Sequence, residues 1–324
     1  MLKTTRITKN YLVTLVSVPT LLMLALITAM TLFPAKLPAP RFSNSLAFNE
    51  KARWMRNAVR EKCTTLIVGS SMAFNNIDAK LLPVSRFGNH VVNVGSWGMS
   101  VIDSLKMTKI VAPICKPETV VLVTNFMDFN SRWDKNIDWN MFENFIQGKS
   151  NLLDEFLDFD INYFITTLQA IRDSQKKNKS NYESIEFDDT GTVNFQCSKF
   201  NIAVERWEAI NQSRSLDKES VLSNIQALKS LAEYTKNQGV KMYVLTPPLR
   251  DKIENNLFVV ERRKLWNEVA RIVVDHGGEY IFVSGSQDYD DSMFVDYAHL
   301  NACGAEKFTR HALHLSQHDN NVRK

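Results

Sequence analysis

The chain has 324 residues, of which 44% are hydrophobic and 23% are charged, and its formal net charge is +4. Part of this charge lies in the N-terminal tail and no basic run with interleaved aromatic residues occurs, so the sequence gives no case for a nucleic-acid partner. No internal repeat or low-complexity tract is found, which leaves a chain long enough for one sizeable folded domain.

The N-terminus carries a long uncharged segment. Residues 11–33 are 23 consecutive residues without a charge, and at 1.5 Å per residue such a helix can cross a ~30 Å hydrocarbon core. Lys3, Arg6 and Lys9 precede it, and basic flanks stay cytoplasmic. We predict a cytoplasmic tail over 1–10, a single-pass membrane anchor over 11–33, and a periplasmic or cell-surface remainder. A cleaved signal peptide or a buried core helix is the alternative.

Prolines follow this segment and cannot continue a helix, which predicts a linker and entry segment over residues 34–60 and a folded domain over 61–324. Five short apolar runs are predicted strands: 65–68, 91–94, 120–123, 241–245 and 280–283. Helical patterns separate several of these runs. Strands that alternate with helices predict an α/β fold, a flavodoxin-like three-layer sandwich with a central parallel five-stranded sheet.

Two segments far apart in the sequence carry the residue types of a hydrolytic triad. Ser71 follows the first predicted strand, at a turn that can present its hydroxyl to a substrate. Asp296 precedes His299 by three residues, so its carboxylate can orient the imidazole. The pattern predicts Ser71 as nucleophile, His299 as general base and Asp296 as its orienting partner. Each segment alone is also typical of an ordinary turn or of a helix start at the surface.

Small and amide-bearing residues follow the next two predicted strands. Gly98 lies after the second strand, and Asn125 comes directly after the third. The backbone N–H groups of Ser71 and Gly98 and the side-chain amide of Asn125 are the donors that an oxyanion hole requires. These positions follow the carboxyl ends of strands, where ligands bind in open α/β sheets.

The order of these residues resembles the SGNH (GDSL-type) hydrolase superfamily over roughly residues 63–315. The family's motif residues fall on Ser71, Gly98, Asn125, Asp296 and His299. Ser70 replaces the usual Asp of the Gly-Asp-Ser block, and Thr124-Asn125-Phe126 replaces Gly-x-Asn-Asp. The resemblance implies the SGNH hydrolase fold and a serine esterase without a cofactor.

With the predicted anchor, the arrangement is similar to membrane-anchored DltD-like and alginate-acetylation-like proteins. This similarity implies a cell-envelope polysaccharide or a related acylated polymer as substrate, and a membrane-bound acyl donor protein as a partner. Water would resolve the acyl-enzyme in an esterase and a sugar hydroxyl would do so in an O-acyltransferase, and the sequence does not choose between them. The alternatives are a lipid esterase and a non-catalytic envelope assembly or binding protein, which the altered Asn125 block favours.

The pattern loosens over about residues 126–215, which predicts an insertion that lies above the site as a lid or substrate platform. Its aromatic residues suit sugar rings, or they form a small core of the insertion. The predicted substrate contacts are Trp97, Phe126, Trp133 and Pro247.

Four cysteines permit disulfides in an extracytoplasmic domain. Cys63 and Cys115 precede the first and third strands, which are parallel neighbours in a flavodoxin-like sheet, so we predict a bridge between them. Three histidines near the C-terminus, at 311, 314 and 318, have the spacing of one helical face. No carboxylate or cysteine cluster completes a coordination shell, so no metal site is predicted.

Overall fold

The structure is a computed structural model, and it describes residues 2–32, 40–130, 136–149, 160–176, 187–193, 195, 197, 217–250, 259–283, 288–296 and 298–322. Five strands form one sheet: β1 Thr65–Gly69, β2 Val91–Asn93, β3 Thr119–Val123, β4 Lys241–Thr246 and β5 Glu279–Phe282. They pair in parallel in the order β2-β1-β3-β4-β5. The predicted α/β class and the parallel five-stranded sheet are confirmed.

The described helices are α1 Leu2–Leu32, α2 Leu46–Ala58, α3 Ser71–Asn75, α4 Val84–Phe87, α5 Val101–Cys115, α6 Phe126–Phe129, α7 Trp139–Ile146, α8 Ile161–Lys176, α9 Lys218–Asn237, α10 Val259–Asp275 and α11 Ala302–Val322. Short 3₁₀ helices cover Ala79–Leu81 and Asp291–Met293. Helices α5, α9 and α10 connect successive strands and form the crossovers that parallel pairing requires.

Each strand supplies alternate side chains to two apolar cores, one on each face of the sheet. Leu66 and Val68 of β1 face the core that α2, α5, α9 and α10 cover. Ile67, between them, faces the core that α3 and α11 cover. The central strands are buried on both faces, which explains why they read as continuous apolar runs.

Helix α2 belongs to the folded domain, although the sequence predicted a linker as far as residue 60. Phe48, Ala52 and Met55 of α2 are fully buried in the first core. The helix also buries Asn49 and Lys51. Because these residues are polar, the buried face of the helix does not appear as an apolar pattern in the sequence. The boundary predicted at residue 61 therefore lies too late in the chain.

Helix α1 covers most of the segment predicted as a membrane anchor, whose last residue, Phe33, lies outside the described residues. Over the described residues, no helix combines the length and the apolar character needed to cross a membrane. The predicted anchor thus lacks support from the structure.

Two disulfides join distant parts of the chain. Cys63 is bonded to Cys115 at the amino ends of β1 and β3, with a Cα–Cα distance of 5.1 Å. Cys197 is bonded to Cys303 in the first turn of α11. The first pairing is the one predicted from strand order, and the second was not predicted.

The predicted insertion is described only in parts. In α7, Phe142 and Phe145 are buried in the first core, where Phe142 packs against Phe42 and Phe48. These aromatic rings therefore contribute to the domain core and not to a separate small core or an exposed platform. Trp133 lies outside the described residues.

Candidate active site

Ser71 begins α3 directly after the carboxyl end of β1. Gly69 has a φ of +140° and its position leaves no room for a side chain, because a Cβ there would lie 2.1 Å from the carbonyl oxygen of Val123. Ser70 is the N-cap of α3, and its hydroxyl oxygen accepts a hydrogen bond from the N–H of Met72. Because the Ser70 hydroxyl caps the helix, the hydroxyl of the adjacent Ser71 is not used as the cap.

The structure brings Ser71, His299 and Asp296 into one hydrogen-bonded line. Asp296 Oδ2 lies 2.7 Å from His299 Nδ1, and His299 Nε2 lies 2.7 Å from Ser71 Oγ. Because the carboxylate accepts from Nδ1–H, Nε2 is the acceptor for the serine hydroxyl. All three side chains are buried, which strengthens these interactions by excluding water.

The loop that carries Asp296 and His299 is closed on itself. Asp296 Oδ1 accepts hydrogen bonds from the N–H groups of Ala298 and His299, at 2.9 and 2.8 Å. The N–H of Val295 donates to the carbonyl of His299 at 2.7 Å. The carboxylate therefore orients both the imidazole and the backbone that supports it.

Asn76, which was not predicted from the sequence, joins this loop to α3, the helix that begins at Ser71. Its Nδ2 donates to the carbonyl of Ala298 at 2.8 Å, and its Oδ1 accepts from the N–H of Leu300 at 2.9 Å. Asn76 is fully buried and is the C-cap of α3. It thus fixes the segment on either side of His299 relative to Ser71. A single asparagine in a short helix carries no sequence signal for this role.

Trp97 contacts His299 directly. The two ring centroids are 5.1 Å apart, and the Trp97 ring also packs edge-on against Phe74 of α3. Trp97 was predicted as a substrate contact, but its side chain is only 6% exposed and lies against the imidazole. This packing restricts the rotation of the His299 ring.

The loop after β2 lies against the Ser71 turn. The N–H of Ser96 donates to the carbonyl of Gly69 at 3.2 Å, and Gly95 packs against Ala73 so tightly that no side chain would fit there. Gly98 follows with a φ of +61° and is half-buried. The structure therefore positions this glycine-containing loop next to the turn that carries Ser71.

Lys51 of α2 holds the same loop from inside the protein. Its ammonium group donates to the carbonyl of Gly95 and lies 4.1 Å from the ring centroid of Phe74. Complete burial lowers the pKa of Lys51 well below its usual range, an effect that the charge of Asp188 partly opposes. Lys51 was not predicted from the sequence, because a lysine in an apparent linker is usually exposed.

Asn125 is the N-cap of α6 at the carboxyl end of β3. Its Oδ1 accepts from the N–H groups of Met127 and Asp128, which turns the amide nitrogen away from the helix. That nitrogen lies 3.1 Å from the sulfur of Met72, the residue after Ser71. The amide group of Asn125 is therefore close to the turn that carries Ser71.

Asp128 adds a buried carboxyl group close to Ser70 and His299. Its Oδ2 accepts from the hydroxyl of Thr124 and from the N–H of Asn125, both at 3.0 Å. Burial raises the pKa of Asp128 to about 6, although hydrogen bonds from Asn125, Ser70 and Thr124 and the proximity of His299 act in the opposite direction. The side chain thus links the turns after β1 and β3.

Two other predicted contacts, Phe126 and Pro247, line a pocket beside Asn125. Across the described part of the chain, no group of three or more His, Cys, Asp or Glu side chains is arranged to hold a metal ion. The ring of His311 stacks on Tyr289, with centroids 6.5 Å apart.

The sequence matches no family model and no curated protein. The fold is similar to that of a variant of an acetyl-xylooligosaccharide esterase from Geobacillus stearothermophilus, at 14% identity and a TM-score of 0.42, over 78% of this chain and 92% of the other. A catalytic mutant of an acetylxylan esterase from the same organism gives 13% identity, a TM-score of 0.41 and the same coverage. An alpha/beta hydrolase from the metagenome of Lake Arreo, Spain, has 14% identity and a TM-score of 0.40, over 76% of this chain and 90% of the other. Likeness at this level carries no argument about the reaction, which has to be derived from the site.

Proposed function

We propose that the chain is an SGNH-type serine esterase that acts on acyl esters of a cell-envelope polysaccharide or a related polymer. The observation that carries the proposal is the buried hydrogen-bonded line from Asp296 through His299 to Ser71, with 2.7 Å at both steps. A serine hydroxyl becomes an effective nucleophile when an oriented base removes its proton, and this line supplies base and orientation together.

In the proposed reaction, Ser71 Oγ bonds to the ester carbonyl carbon while His299 Nε2 takes the hydroxyl proton. The N–H groups of Ser71 and Gly98 and the amide of Asn125 donate to the resulting oxyanion, and each donor contributes about 3–4 kcal/mol in measured cases. The bond to the alcohol oxygen then breaks, and the alcohol leaves with the proton from His299. Water attacks the acyl-enzyme to release the acid, or a sugar hydroxyl attacks to complete an acyl transfer.

The proposed location is outside the cytoplasm. Two disulfides, Cys63–Cys115 and Cys197–Cys303, support it, because such bonds persist in oxidising compartments and are rare in the cytosol. The membrane anchor over residues 11–33 and the membrane-bound acyl donor partner stay predictions from the sequence.

A covalent probe tests the proposed nucleophile. A fluorophosphonate should label the full chain at Ser71, and the chain should hydrolyse a small chromogenic acetyl ester. Ser71→Ala should abolish both labelling and turnover. Ser70→Ala is the matched control, because its hydroxyl caps α3 at Met72 and should leave labelling of the neighbouring serine in place. Labelling at Ser70, or normal turnover in Ser71→Ala, would contradict the proposal.

A further inference from the structure

Lys51 of α2 is a fully buried charged side chain that the proposed reaction does not use. Its ammonium group donates a hydrogen bond to the carbonyl oxygen of Gly95 and lies 4.1 Å from the ring centroid of Phe74. Transfer of an ammonium group out of water is costly, and a carbonyl oxygen and an aromatic face offset only part of that cost. An apolar side chain would fill the same space without this cost, so the charged donor requires an explanation beyond packing.

The hydrogen bond from Lys51 acts on the peptide group between Gly95 and Ser96. The carbonyl of this group accepts from Lys51, and its N–H donates to the carbonyl of Gly69 at 3.2 Å. In a planar trans peptide the C=O and the N–H point in opposite directions, so a bond at each end prevents the plane from rotating. Gly69 is the last residue of β1, two positions before Ser71. The peptide is therefore fixed between α2 and the turn that carries Ser71.

Asn93 of β2 fixes the other backbone group of Gly95. Its Oδ1 accepts from the N–H of Gly95 at 2.9 Å, and its Nδ2 donates to the carbonyl of Ala73 in α3 at 2.6 Å. Asn93 is fully buried. Side chains from β2 and α2 thus bond the N–H and the carbonyl of the same glycine, which sets the direction in which the loop leaves β2.

Gly98, the proposed oxyanion donor of this loop, lies in a turn that starts at the fixed peptide. The N–H of Met99 donates to the carbonyl of Ser96 at 3.4 Å and closes a four-residue turn, in which Gly98 is the third residue with a φ of +61°. In a closed turn, the direction of the Gly98 N–H follows from the orientation of the peptide at Ser96. An oxyanion donor is effective when it is aimed before the reaction begins, so this orientation matters for the rate.

We infer that Lys51 is a positioning residue for the proposed esterase reaction: by fixing the Gly95–Ser96 peptide, it aims the N–H of Gly98 at the oxyanion of the tetrahedral intermediate. Lys51 itself does not touch the substrate and acts through the loop. The inference rests on the proposed function and adds to it a residue of α2, a helix that carries none of the residues proposed for catalysis.

Steady-state kinetics of Lys51→Met test the inference. Methionine fills a similar space without a charge or an N–H donor. We expect kcat on a small chromogenic acetyl ester to fall about 100-fold, the scale of losing one oxyanion donor. The KM should change less than about threefold, because the ester in the ground state carries no oxyanion. A trifluoromethyl ketone forms a tetrahedral oxyanion with a reactive serine, and it should bind about 100-fold more weakly to the variant.

Met55→Ala is the matched control for loss of packing in α2. Met55 is fully buried in the first core, one helical turn from Lys51. This variant should lower the midpoint of urea unfolding and leave kcat unchanged. Lys51→Met should show the reverse, because it removes a costly buried charge. Asp188, whose charge acts on Lys51, retains its ion pair with Lys80 at 3.4 Å.

Hydrogen exchange gives a second measurement that does not need turnover. The amides of residues 96–99 should exchange at least about tenfold faster in Lys51→Met, whereas those of α9, on the far side of α5, should exchange at the native rate. Such a difference would locate the effect of the substitution in the loop that carries Gly98.

An unchanged kcat, a change confined to KM, or native exchange rates over residues 96–99 would overturn the inference. Failure of Lys51→Met to fold, or a loss of stability as large as that in Met55→Ala, would overturn it too, because the role of Lys51 would then be structural. Failure of the proposed function is a different result. It would appear as absence of ester turnover and of fluorophosphonate labelling in the protein with Lys51 and Ser71 intact, and it would refute both.

Discussion

The two ends of the central sheet differ in the groups that meet there. At the amino end, the Cys63–Cys115 disulfide joins the starts of β1 and β3, and the N–H of Cys63 donates to the carbonyl of Cys115 at 3.0 Å. At the carboxyl end, about 15 Å away along β1, buried polar groups converge: Ser71, His299 and Asp128. The difference indicates that one end secures the fold while the other holds groups whose burial is costly. Substitutions at the carboxyl end should therefore lower activity more than stability, and substitutions at the amino end should lower stability more than activity.

The largest difference between the effect on activity and the effect on stability is expected at Ser71. Ser71→Ala should lower kcat/KM on a chromogenic ester on the order of 10⁶-fold, as loss of the nucleophile does in other serine enzymes. The free energy of unfolding, measured in urea, should change by about 1 kcal/mol at most, since one hydroxyl is lost. Collapse of both activity and stability would show that the carboxyl end also secures the fold.

Asp296→Asn should lower kcat about 10⁴-fold, because an amide that donates to Nδ1 stabilises the wrong tautomer of His299. The pair is buried, with Asp296 1% exposed, so water cannot take over the role of the carboxylate. Single-turnover measurement at several pH values is the check. A loss of less than tenfold would mean that Asp296 does not orient the base.

Asn76→Ala should lower both stability and activity, which makes it an intermediate case between the two ends. It leaves the carbonyl of Ala298 and the N–H of Leu300 without their side-chain partner, at a cost of about 1–3 kcal/mol each. The kcat should fall as well, since the His299 loop loses its link to α3. Asn76→Asp keeps the acceptor for Leu300, but it loses the donor to the Ala298 carbonyl and buries a carboxylate, so it should not recover the lost stability. Unchanged kcat in Asn76→Ala would exclude a positioning role.

Removal of the bridge at the amino end should have the opposite outcome to Ser71→Ala. The double variant Cys63→Ala and Cys115→Ala should lose about 2–5 kcal/mol of unfolding free energy and keep its kcat at temperatures where it is folded. The matched double variant at Cys197 and Cys303 removes a bridge only four residues beyond His299, and should lower kcat too. Equal effects of the two removals on kcat would break the comparison.

The smallest effect concerns pH. Burial raises the folded-state pKa of Asp128 to about 6 from an ordinary value near 3.8, so the folded protein holds a proton that the unfolded chain has already lost. This stabilisation is present below about pH 4 and is lost as pH rises through 6. Relative to Asp128→Asn, the unfolding free energy should fall by about 3 kcal/mol over that range. Parallel pH curves for the two proteins would contradict the shift.

The central strands β1 and β3 were predictable because each is a short apolar run that is buried on both faces of the sheet. Ser71 and Asn125 could be singled out because each closely follows a strand end, whereas Asp296 and His299 lie beyond β5 and were singled out by their spacing of three residues. Helix α2 escaped prediction because its buried face includes Asn49 and Lys51, which read as solvent-exposed. The contacts of Asn76 and the Cys197–Cys303 pairing depend on segments that meet only in the folded chain. The catalytic roles of Ser71, Asp296 and His299 stay predictions until activity is measured.

The contact between Ser71 and His299 joins residues that are 228 positions apart in the sequence. During synthesis, β1 and the serine turn emerge from the ribosome early, whereas the loop with the histidine belongs to the final tenth of the chain. A nascent or truncated chain therefore contains a serine without its base. We therefore expect the proposed activity to appear only after the segment that carries His299 has been synthesised and has packed against α3.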